Sequence, residues 1–97
     1  MNITARYRLV EFTDKHTDAL DAINTWAERI ENSTFANHNQ LKAYFPSADY
    51  VKNNRYVFNI KGNKYRIVVV IVFFAGECNI RFVGTHAEYD KINASII

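Results

Sequence analysis

The stretch Arg55 to Phe74, RYVFNIKGNKYRIVVVIVFF, decides the fold. It is rich in Tyr, Val, Ile and Phe, which pack well on a pleated surface, and Gly62-Asn63 divides it into Arg55 to Lys61 and Lys64 to Phe74. Two separating residues with glycine first suit a type II′ turn, and such a turn fixes the register of the hairpin. Lys61 then faces Lys64, Asn59 faces Arg66 and Val57 faces Val68. Because side chains alternate between faces, Tyr56, Phe58 and Ile60 join Tyr65 and Ile67 in an apolar surface that other elements must cover. The opposite face is expected to be basic.

Downstream, Cys78 to Gly84 reads as a third strand, which completes an antiparallel meander, and Thr85 onward as a final helix. Upstream the period is helical. Leu9 and Phe12, then Leu20, Ile23, Ala27 and Ile30 with Trp26 beside them, fit two helices over Ala5 to Ile30 with a break near Lys15 to Thr17. Thr17 is the expected N-cap of the second, with Asp18 and Asp21 favourably placed in its first turn. Leu9, Phe12, Leu20 and Ile23 are expected to meet Phe58 and Ile67 in the core. Asn32 to Gln40 is a polar loop, followed by a short helix over Leu41 to Phe45 that Pro46 ends. The result is an α+β chain with the N-terminal helices packed on one face of a small, antiparallel-dominated sheet.

Composition sets the bounds. At 97 residues there is room for a single domain, 1–97, and a chain of this size buries about 60% or more of its unfolded surface without a disulfide or structural metal. Cys78 is the only cysteine, and Met1 to Phe12 has no apolar core of signal-peptide length, so a reducing compartment of the bacterial cytoplasmic kind is expected. The longest apolar run, Ile67 to Ala75, has nine residues, too few for a membrane span, which needs about 18.

A net charge of +2 conceals segregation. Residues 11–31 carry six acids against Lys15 and Arg29, a net of −4, whereas residues 51–86 carry six bases against Glu77, a net of +5. An anionic ligand over the C-terminal half is the expectation, nucleic acid being the commonest such partner. Lys61 opposite Lys64 is a repulsive pair that a bound phosphate would relieve, and Asn59 and Arg66 extend that anion site with a guanidinium suited to bidentate contact. The alternative is that these lysines are solvated and guard the hairpin against aggregation. Arg81 joins the same face if the turn around Ala75-Gly76-Glu77 is of even length, and the other face if it has three residues.

Thr85-His86-Ala87-Glu88 fits a capping box that starts a helix with His86 in its first position, and Tyr89 three residues on projects from the same side. A helix N-terminus favours a neutral imidazole, so a proton-transfer site is one reading, and a surface His with a half-buried Tyr opening a terminal helix is the other. His16 and His38 have no metal-ligand spacing with His86 and are expected at the surface, with Cys78 a small apolar filler. No metal site and no cofactor is expected.

Three strings carry a family resemblance: Leu41 to Asp49 (LKAYFPSAD), Arg55 to Arg66 (RYVFNIKGNKYR) and Ile80 to Ile92 (IRFVGTHAEYDKI). Together they resemble the HigB family of toxins from bacterial type II toxin–antitoxin systems, over most of the chain; the N-terminal helices match in layout more than in identity. The resemblance implies a RelE-like fold and an endoribonuclease that cuts mRNA, usually on the translating ribosome. It also implies an antitoxin of the HigA type with a helix-turn-helix. The implied chemistry is metal-independent attack of a ribose 2′-hydroxyl on the adjacent phosphate. Arg66 would then stabilise the phosphorane, His86 would move a proton, and Tyr89 would stack on a base or assist that transfer. Asn59, Lys61, Lys64 and Arg81 would hold RNA. Where broader RelE-type toxins place several lysines and arginines at the scissile phosphate, this chain has Asn59 and His86, which leaves the general base open. A non-catalytic RNA-binding module and a structural interaction protein are the competing classes; the THAEYD string favours the enzyme, since simple binding needs no capped His.

Overall fold

The hairpin forms the middle of a five-stranded sheet. In the computed structural model, which describes residues 1–97, the elements are β1 (Asn2–Thr4), α1 (Tyr7–Lys15), α2 (Leu20–Glu31), α3 (His38–Tyr44), β2 (Asp49–Lys52), β3 (Arg55–Ile60), β4 (Tyr65–Val72), β5 (Glu77–Thr85) and α4 (His86–Tyr89). The strand order is β1-β5-β4-β3-β2, antiparallel throughout except for β1, which pairs parallel to β5. The β3–β4 register is the one the turn demands, with Asn59 opposite Arg66 and Val57 opposite Val68. The connection differs in length. Its last strand pair is Ile60 with Tyr65, and Lys61–Lys64 make a four-residue turn in which the Lys64 N–H donates to the Lys61 carbonyl at 3.3 Å. Lys61 takes a φ of 54°, a left-handed conformation that ends the strand; two- and four-residue connections share a parity, so the register survives.

Two strands flank the expected three. β2 is joined to β3 through Asn53-Asn54, both at positive φ (50° and 64°), as a type I′ hairpin turn requires and asparagine tolerates. β1 is three residues long, below the length at which periodicity can be read.

On one face the apolar side chains of α1 and α2 meet those of β3, β4 and β5: Leu9, Phe12, Ile23, Trp26 and Ile30 pack with Phe58, Ile60, Tyr65, Ile67 and Ile80. Ile67 is fully buried, so truncation to Ala is expected to cost about 2–5 kcal/mol. Leu20, expected in this core, is instead exposed. It starts α2 at the edge of the stripe that Ile23, Trp26, Ala27 and Ile30 form, and a 3-10 turn over Thr17–Ala19 delivers the fully buried Ala19 in its place. That turn also displaces the expected cap: Thr17 makes no side-chain capping bond, and α2 starts after Ala19 without one. α3 begins earlier than expected, because Asn37 caps it by accepting from the Gln40 N–H at 3.0 Å. Cys78 is buried in the core as a filler, and burial pushes its thiol up to about 12. No helix is long and apolar enough to cross a membrane.

The second face is not basic throughout. After α4 the chain folds back over β3 and β4, and Ala94, Ile92 and Ile97 close over Val57 and Val68. Arg55 anchors this strap by donating from Nε and Nη2 to the Ile97 carbonyl oxygen at 3.1 and 2.6 Å. What stays open is the end of the face bearing Asn59, Arg66 and Gly84, next to the start of α4.

Candidate active site

β4 places Arg66 on the open end of the sheet, and β5 delivers His86 beside it, since Gly84 pairs with Arg66 and α4 begins two residues later. The capping box forms: the Thr85 hydroxyl accepts from the Glu88 N–H at 3.2 Å and the Glu88 carboxylate accepts from the Thr85 N–H at 2.8 Å. That backbone hydrogen bond, more than anything else, holds the Glu88 carboxyl below its ordinary range. Gly84 makes room for the arrangement. A Cβ there would lie 2.4 Å from the tip of the Phe82 ring and 3.1 Å from a Glu88 carboxylate oxygen.

Arg66, His86 and Asp90 form a line. Arg66 Nη2 stands 3.0 Å from His86 Nε2, and His86 Nδ1 stands 3.3 Å from Asp90 Oδ2. A guanidinium only donates, so in this contact the Nε2 lone pair accepts from Arg66 and Nδ1–H is left to donate to Asp90. Tyr89 lies under the guanidinium, 4.6 Å from ring centre to Arg66 Cζ. No carboxylate comes within 4 Å of Arg66, so its charge is unneutralised. Two atoms of the cluster are buried without partners, Arg66 Nε and Asn59 Oδ1. Such groups cost about 1–3 kcal/mol each when left unpaired, so both would gain from a polar partner.

Of the residues expected from sequence, Arg66, His86, Tyr89 and Asn59 therefore come together. Lys61 and Lys64 are also brought together, but around the protein's own anion: Asp18 lies 2.7 Å from Lys64 Nζ, 3.5 Å from Lys61 Nζ and 2.7 Å from the Tyr65 hydroxyl. Hydrogen bonds from Lys64 and then Tyr65 hold the Asp18 carboxyl far below its ordinary range, and the same contacts raise Lys64 and Tyr65. The repulsive pair is thus relieved by a carboxylate rather than by a bound phosphate. Arg81 sits apart from the cluster. The β4–β5 turn has four residues, but a bulge opposite Val68 and Val69 leaves Arg81 unpaired, and it lines a cleft between α1 and β5 with Arg8, Lys15 and His16. His16 is half-buried against Phe12, at 4.4 Å between ring centres, and exposed His38 contacts the Tyr56 hydroxyl through Nδ1 at 2.7 Å. No cluster of three His, Cys, Asp or Glu side chains is placed to hold a metal.

Sequence reasoning passed over Asp90, Asp18 and Gly84. The i, i+4 spacing of His86 and Asp90 on a helix was the available signal for the first. The other two depend on tertiary approach and have no local signature.

A five-stranded mixed sheet with helices packed on one face is consistent with a RelE-like fold. Residues 19–92 match the HigB toxin family, described as the RelE-like toxic component of a toxin–antitoxin system. The mRNA interferase toxin HigB of Escherichia coli strain K12 is 33% identical over 96 residues, covering 97% of this chain and 92% of the relative. The mRNA interferase HigB of Shigella flexneri matches at the same identity and coverage, and that of Escherichia coli O6:H1 is 27% identical over 95% of this chain and 91% of the relative. The chain belongs to the HigB family of toxins.

Proposed function

We propose that the chain is an mRNA endoribonuclease that acts on the translating ribosome and cleaves through attack of a ribose 2′-hydroxyl on the adjacent phosphate. The observation that carries this reading is the unneutralised Arg66 guanidinium held against the lone pair of His86. When a phosphate enters, Arg66 turns its donors to the nonbridging oxygens and stabilises the charge that accumulates on the phosphorane. His86 Nε2, released from Arg66, takes the proton of the 2′-hydroxyl, while Asp90 holds the ring by accepting from Nδ1. The 2′ oxygen forms its bond to phosphorus as the 5′ oxygen leaves with a proton from solvent, giving a 2′,3′-cyclic phosphate and a 5′-hydroxyl end. Tyr89 stacks on a neighbouring base or keeps the guanidinium in place from below. Asn59 binds a flanking phosphate or sugar beside Arg66.

The partner in this reading is an antitoxin of the HigA type with a helix-turn-helix. Lys61 and Lys64 contribute positive potential at the hairpin tip, reduced by Asp18, and Arg81 offers a second RNA contact with Arg8 and Lys15 across the α1–β5 cleft. Primer extension on cellular messages after brief induction tests the reading: discrete cuts within translated frames support it, and intact messages with arrested growth would assign the toxicity to binding alone.

A further inference from the structure

The edge of the sheet at β3 is incomplete. β2 pairs with β3 only as far as Val57, where Asp49 stands opposite. The Ile71 N–H donates to the Asn54 carbonyl at 2.9 Å, and in an antiparallel ladder this sets the phase: Tyr56, Phe58 and Ile60 turn their peptide groups to β4. Asn59 therefore turns its N–H and C=O outward, past the end of β2, where no strand meets them. Between this open edge and α2 lies a groove of about 450 Å³.

A second orphan lines the groove. Trp26 is 4% exposed, and its indole Nε1–H is buried with no acceptor. The walls are aromatic, but their faces are taken: Trp26 and Phe45 each meet Phe58 edge to face, and Arg29 covers the Phe45 ring at 4.3 Å. A nucleobase would find no free ring to stack on. What the groove lacks is a carbonyl acceptor for Trp26, and an acceptor and a donor side by side for Asn59. Those are the groups of an extended peptide backbone.

We infer that this groove receives an extended segment of the antitoxin, which adds to the sheet as a strand beside the free end of β3. The inference rests on the reading of the chain as the toxin of a toxin–antitoxin pair. It also supplies a means of neutralisation. Alternate side chains of an added strand point to opposite faces, so one set enters the groove against Trp26 and Phe58 while the other lies on the open face beside Asn59, next to Arg66. Anchoring the segment thus covers the active site.

The test uses the full chain and the antitoxin encoded with it, purified together as the complex and compared with the free chain. Hydrogen exchange by NMR is expected to slow about 100-fold at the Asn59 amide and the Trp26 indole N–H in the complex. Thr25→Tyr fills the groove from an exposed helix position and should leave message cleavage unchanged while weakening the antitoxin by about 30-fold or more. Trp26→Phe, with its folding verified by melting temperature, should likewise keep cleavage and weaken the antitoxin. A complex in which both exchange rates are unchanged and Thr25→Tyr binds normally would overturn the inference and leave the toxin reading intact. Protection by an RNA oligonucleotide in place of the antitoxin would also overturn it. Protection by the antitoxin in a chain that never cleaves RNA would uphold the docking site and refute the nuclease.

Discussion

Replacing Asp90 with Asn separates orientation of His86 from the proton transfer proposed for it. The His86–Asp90 contact is long, at 3.3 Å, and the two side chains are 49% and 62% exposed. An ion pair or hydrogen bond this open contributes at most about 1 kcal/mol to folding, so the melting temperature should move by no more than a few degrees. Its catalytic share should be of similar size. A buried orienting carboxylate can be worth about 10⁴ in rate, but an exposed one competes with water for Nδ1–H, and about 1.4 kcal/mol, or tenfold, is the expected loss. His86→Ala removes the proposed proton acceptor and should cost about 10²–10⁴. Steady-state cleavage of a defined message, with kcat and KM resolved, distinguishes the two: Asp90→Asn should lower kcat about tenfold with KM unchanged. A loss equal to that of His86→Ala would place Asp90 in the chemistry, and an unchanged kcat would mean that the imidazole needs no partner at Nδ1; either result refutes orientation by Asp90.

Asp18→Asn should release Lys61 and Lys64, raising RNA affinity and steepening its salt dependence by about one to two units in the log–log slope, read by a binding titration across salt. The same variant should change the acid profile of stability. Because the Asp18 carboxyl is held below its ordinary 3.8, the stabilisation it brings is full above that pH and lost as pH falls through the lower folded value, so the gap in melting temperature between wild type and variant should close on acidification. Gly84→Ala should destabilise by about 1–3 kcal/mol and lower cleavage further than stability alone explains, since the added methyl presses on both Phe82 and Glu88; equal activity per folded molecule would show that the capping box tolerates the shift. Cys78 should resist thiol reagents in the native state and react on unfolding, and fast native labelling would contradict its burial.

Gly62-Asn63 fixes the centre of the sheet, so Asn59 follows by counting as the β3 neighbour of Arg66. The same counting failed at Arg81, where the bulge against Val68 and Val69 inserts an extra residue that no local pattern announces. β2 was legible in principle from Asn53-Asn54, a pair suited to a type I′ turn, but its four residues are mostly exposed and lack apolar alternation. The strap over Val57 and Val68 explains why strands expected to show a basic face read as nearly continuous apolar runs: they are buried on both sides at that end. At the site, the segments carrying Arg66, His86 and Tyr89 could be read because each occupies a defined turn or cap. Asp18 could not, since it reaches Lys64 across 46 positions of sequence from a helical turn that looked like an ordinary cap.

Arg66 and His86 are the residues proposed to cut RNA. The most direct measurement is the rate of message cleavage by the Arg66→Ala and His86→Ala variants beside wild type in a translating extract, with folding verified and RNA binding measured in parallel. Each variant should lose about two orders of magnitude or more in cleavage while binding RNA within a few-fold of wild type. Cleavage at the wild-type rate in the double variant would contradict the account.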